Sequence, residues 1–144
     1  MNGTNNTTPT VAQALAPLIA TAISIRDSLT TAVTQLNLAV ENEAAKRRTA
    51  KELRQSYEEA EAEFVAETLP NCDAKNAEGR KAQLDAALIQ ARRSGTLARL
   101  WSQSTAAAYD AEDAKTGLDQ CAKMFRATEA AAELTAAMLR ALGK

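Results

Sequence analysis

Histidine is absent from all 144 residues, which removes the commonest general base, the usual neutral metal ligand and the base of both standard nucleophile triads. Nucleophilic or metal-assisted catalysis therefore has to rest on other side chains. Cys72 and Cys121 are the only thiols; they form no C-x-x-C pair and have no histidine to activate them. Glu58, Glu59, Glu61 and Glu63 crowd one segment, but on a continuous helix they diverge around the axis and offer a metal no second ligand set. No glycine-rich phosphate loop is present. These residues predict a chain that is not an enzyme and carries no cofactor.

Two other groups have the chemistry of binding. Arg47, Arg48, Lys51 and Arg54 lie within eight residues, and Arg92, Arg93 and Arg99 form a second basic set. Arginines neutralise phosphates or clamp carboxylates, whereas the plainer reading is a solvated face that keeps an alanine-rich protein soluble. Trp101, with Leu97 and Leu100, follows Ser94 and Gly95 and is either a plug filling a break in the helix or an exposed anchor for a partner. The net charge of −1 gives no whole-molecule field toward a polyanion, so any such role falls to a local patch.

The elements positioning these groups are helices. Ala, Leu, Glu, Lys, Arg and Gln dominate, and aromatics make up only 3%, too few for a bulky globular core. Every seventh residue from Leu15 gives Leu15, Ala22, Leu29, Leu36, Glu43, Ala50, Tyr57 and Phe64. Three positions later come Leu18, Ile25, Ala32, Ala39, Lys46, Leu53 and Ala60. That is a heptad seam with one polar layer. Ile19, Val33 and Val40 widen it to a third column, more apolar surface than one partner helix covers, which invites a third helix or a second chain. A second seam runs through Leu97, Ser104, Ala111, Leu118, Phe125, Ala132 and Leu139, with Leu100, Ala107, Ala114, Cys121, Thr128, Thr135 and Leu142 three later.

The predicted fold is all-α: an antiparallel coiled-coil hairpin of two long arms. A polar tail spans 1–8, Thr8 and Pro9 launch a first arm over 9–68, a turn occupies 69–76 around Pro70, and a second arm runs over 77–142 from an Asn76 N-cap. Pro17 either kinks the first arm or marks its true start, and Ser94 with Gly95 pauses the second. Bends there offer the alternative of a compact bundle of three or four helices. A turn centred near Asp73 sets Glu59, Glu63 and Glu67 opposite Arg80 and Lys81. The same register brings Arg47, Arg48, Lys51 and Arg54 beside Arg92, Arg93 and Arg99 as a basic belt. Gly117, flanking the second seam, is expected to permit close helix approach. The two cysteines read as free thiols of a reducing compartment, the cytoplasm. The stretch from Val11 to Ile25 lacks the basic flank of a signal peptide and is too short to span a membrane.

The run Asn76, Ala77, Glu78, Gly79, Arg80, Lys81, Ala82, Gln83, Leu84, followed by an alanine-rich charged helix ending in Leu139, Arg140, Ala141 and Leu142, resembles small helical proteins of bacteriophages and prophages. These carry an N-A-E-x-R-K-A-x-L run and accompany early genes for recombination or single-strand annealing. Gly79 stands where an acidic residue is expected. The likeness covers the second half of the chain and implies an accessory role in DNA metabolism or host takeover, with no catalytic residues.

Three functional expectations follow. The first is an interaction protein, self-associating through the wide stripe, that binds or inhibits a protein of DNA metabolism or host defence. A structural virion, scaffold or ejection component is the second, and sequence-independent nucleic-acid binding through the basic belt is the third.

Overall fold

A computed structural model describes residues 10–143. It is all-α, with no strand among the described residues: α1 (Val11–Thr68), a single 3-10 turn (Leu69–Asn71), α2 (Ala77–Ala91) and α3 (Gly95–Leu142). Helix α1 opens on a capping box. The Thr10 amide donates to Gln13 Oε1 at 3.0 Å, and the Gln13 amide donates to Thr10 Oγ1 at 3.3 Å. The expected Thr8 and Pro9 start and the tail 1–8 lie outside the described residues. Pro17 falls inside α1 and neither begins nor ends it.

The predicted seam is the covered face of α1. None of its positions from Leu15 to Phe64 is exposed, and Ala32 and Tyr57 are buried. On α3 the stripe is covered from Leu97 onward except at Leu142, with Leu97, Ala107, Ala114 and Thr135 buried. Several polar positions of the seams find partners. Lys46 Nζ reaches Asp110 Oδ2 at 3.4 Å, Glu43 accepts Arg47 at 2.7 Å, and Thr135 Oγ1 donates to the Ala131 carbonyl at 2.9 Å. The buried set is small and rich in alanine, and among the described residues no large side chain is fully enclosed.

Contacts within the chain sort into two compact units, one comprising Glu41–Thr116 and the other the chain up to Val40 together with the chain from Gly117. In the second of these, α1 and α3 pack antiparallel: Ala22, Ile25 and Leu29 share a hollow with Ala132, Thr135 and Leu139, while Thr31 and Gln35 share another with Met124 and Thr128.

In the Glu41–Thr116 unit the pairing is also antiparallel, but its register corrects the sequence expectation. Tyr57 packs against Trp101 and Lys46 meets Asp110, a slip of about eleven positions, roughly 16 Å of helix, from a hairpin closing at Asp73. The cause is α2. It is a separate helix, and α1 pairs with α3 only from the level where Ala60, Phe64 and Leu97 line one hollow. Glu63 and Glu67 consequently face the α2–α3 junction at Ala91 and Ser94, and no ion pair joins them to Arg80 or Lys81 among the described residues.

Local chemistry fixes both ends of α2. Asn76 has an extended backbone and its side chain accepts the Gly79 amide at 2.7 Å, as an N-cap should. Gln83 reaches back to the turn, donating to Asp73 Oδ1 at 2.8 Å and accepting the Ala74 amide at 3.2 Å. Gly79 departs from the acidic residue expected there for a steric reason: a Cβ would sit 2.8 Å from the Ala74 Cβ and 2.9 Å from the capping oxygen. At the other end Arg92 caps α2, its amide donating to the Leu88 carbonyl, and beyond it Gly95, which opens α3, adopts φ +87°, the left-handed region that a side chain disfavours.

The glycines yield paired stability predictions. Gly95→Ala meets no atom within 4 Å but carries the backbone penalty, so it should destabilise by about 1–2 kcal/mol. Gly117 does not serve close approach, since a Cβ there would also find open space at ordinary helical φ. Gly117→Ala should therefore stabilise by about 0.5–1 kcal/mol, and urea unfolding followed by helical circular dichroism reads both signs.

Candidate interaction surface

The break before α3 turns Arg92 back onto α1. Its Nε donates to the Tyr57 hydroxyl at 2.7 Å and its Nη2 to Glu61 Oε1, which also accepts the Tyr57 hydroxyl at 3.0 Å. The guanidinium carbon lies 5.0 Å from the centre of the Trp101 ring and 5.8 Å from that of Tyr57, and the two rings tilt at 58° with centroids 5.1 Å apart. Glu61, one helical turn after Tyr57, balances the charge that Arg92 brings to the aromatic pair. This cluster ties α1, the end of α2 and the start of α3 together.

Burial raises the Tyr57 pKa above its ordinary value, and the hydrogen bond to the Glu61 carboxylate adds to the rise. The Arg92 guanidinium holds its proton more tightly through its bonds to Glu61 and Tyr57. A phenol whose pKa is higher folded than unfolded contributes stability that is complete below about pH 10, the unfolded value, and lost as pH rises through the folded one. Alkaline titration of tyrosinate absorbance should therefore show a late transition that is missing from Tyr57→Phe, with stability declining more steeply above about pH 10 in the parent than in that variant.

The predicted binding residues separate by environment. Leu97 is buried and Leu100 partly covered, so both belong to the helix seam. Trp101 is a plug on one side, packed in the break against Tyr57 and Arg92, and 43% of the residue is exposed. Ile19, Val33 and Val40 are exposed on one flank of α1, as the third column requires.

The basic belt is not assembled as expected. Arg92 sits at the level of Tyr57 and Glu61, beyond Arg54 along α1, because of the register slip. Arg93 and Arg99 are exposed without an ion pair to the first-arm group, whose Arg47 and Arg54 pair with Glu43 and Glu58 on their own helix. Arg47, Arg48, Lys51 and Arg54 remain together as an exposed patch.

Sequence reasoning missed the roles of Tyr57 and Glu61. A phenol at a seam position needs a polar partner once covered, and that requirement was the available signal. The partner, 35 positions away, depends on the register.

No helix among the described residues is long and apolar enough to cross a membrane. No protein-family model, curated protein or solved structure matches the chain.

Proposed function

We propose that the chain is a non-enzymatic helical interaction protein of the cytoplasm, an antiparallel coiled-coil hairpin that self-associates and binds a protein partner. The observation carrying this reading is three exposed apolar residues at one heptad position, Ile19, Val33 and Val40, with exposures of 51%, 40% and 48%, interrupted only by Arg26, beside a seam with no fully enclosed large side chain among the described residues. Surface of that kind on a thin core is stabilised by a second helical layer, and a second copy supplies one by two-fold symmetry. The further assignment, to a partner that handles DNA, rests on the phage-type run from Asn76 to Leu84.

Light scattering coupled to size exclusion tests the self-association. The parent should run as a dimer or larger, and Val33→Glu with Val40→Glu should run as a folded monomer. A parent that stays monomeric at high concentration would overturn the reading. Capture of a nuclease or recombination protein from phage-infected cells tests the assignment of the partner.

A further inference from the structure

Arg92 marks which flank of the Glu41–Thr116 unit Trp101 occupies. Its guanidinium bonds to Glu61 and lies against the Trp101 ring, so Trp101 stands on the Glu61 side of α1. Stepping back from Glu61 by heptads gives Arg54 and Arg47 on that same side, and Lys51, one turn after Arg47, extends the row. Along α3 from Trp101, two turns of helix lead to Tyr109, which is 71% exposed, and the hollow between the two aromatics is open to solvent beside Thr105. The antiparallel contacts Tyr57 with Trp101 and Lys46 with Asp110 bracket both rows at the same levels. A cationic ridge on α1 thus runs beside an aromatic ridge on α3.

We infer that this flank binds single-stranded nucleic acid, with phosphates on Arg47, Lys51 and Arg54 and bases stacked on Trp101 and Tyr109. The two ligand chemistries are those a single strand combines: a charged backbone and planar faces freed from pairing. Trp101 is held in place by Arg92 and Tyr57, so stacking on its open side costs little further ordering. The ion pairs Arg47 with Glu43 and Arg54 with Glu58 are exposed pairs within one helix, weak enough for phosphate to displace. The site lies in a different unit from the apolar column, so it stands or falls separately from self-association.

Trp101 is the only tryptophan of the chain and reports directly on the site. Titration of the full chain with an oligodeoxythymidine should give saturable quenching of its fluorescence, together with a rise in anisotropy of the labelled oligonucleotide. Affinity should fall with salt with a logarithmic slope of about −2, as expected for about three phosphates on a single strand. Tyr109→Ser, at an exposed position, should weaken binding about tenfold. Arg47→Glu with Lys51→Glu should abolish it, each variant retaining its helical circular dichroism. Absence of quenching at low salt would overturn the proposal. So would equal affinity for duplex with no effect of Tyr109→Ser, or displacement of the oligonucleotide by polyglutamate at matched charge, since either result means that the flank reads charge alone.

Discussion

Tyr57→Ala should lower the unfolding free energy of the Glu41–Thr116 unit by about 3–5 kcal/mol, the cost of removing a large aromatic from a covered position. Tyr57 is 5% exposed and is the largest of the buried residues in that unit. Its loss leaves Arg92 with Glu61 alone and takes away the ring on which Trp101 rests. Tyr57→Phe separates the two contributions: the ring remains, and only the hydroxyl bonds to Arg92 and Glu61 are lost, for about 1–2 kcal/mol. Urea unfolding followed by tryptophan fluorescence measures both, because the reporter is the neighbouring Trp101. Equal stabilities for the parent and Tyr57→Ala would mean that the cluster contributes nothing to holding α3 on α1.

The second large effect is expected at Leu97, 7% exposed, where α3 first meets α1 near Ala60 and Phe64. Leu97→Ala should destabilise by about 2–4 kcal/mol, the usual cost of removing a leucine side chain from a buried position. Ile89→Ala, at 54% exposure on α2, provides the control and should change stability by no more than about 0.5 kcal/mol. Similar losses at the two positions would show that the seam does not begin where the packing places it.

Periodicity made the seam legible. Leu15, Leu29, Tyr57, Leu97 and Phe125 recur at the helical period, and covering one face of a helix is a property of the residues on that face alone. Caps and turns were legible for the same reason: Asn76 and Pro70 act within a few residues of themselves. The register was not. Whether α2 continues into α3 or stands apart is settled over Arg92, Arg93, Ser94 and Gly95, and the positive φ at Gly95 is one that glycine permits without dictating. Once Gly95 turns the chain, Arg92 meets Glu61, and the belt anticipated from Arg92, Arg93 and the first-arm arginines is divided. Which side of Trp101 packs as a plug depends on the same break. The break between α2 and α3 therefore separates the part of the candidate site that the sequence predicts from the part that it does not.

The scarcity of enclosed bulk also bears on how the protein responds to heat. Ala32, Ala107 and Ala114 are buried where other proteins place leucine or phenylalanine, so unfolding newly wets little hydrocarbon. Heat-capacity increments follow that wetted hydrocarbon, and the increment here should fall below the usual ~12–15 cal/mol/K per residue. Stability then bends only gently with temperature: calorimetry should find a broad, shallow dome, with cold unfolding displaced far below freezing.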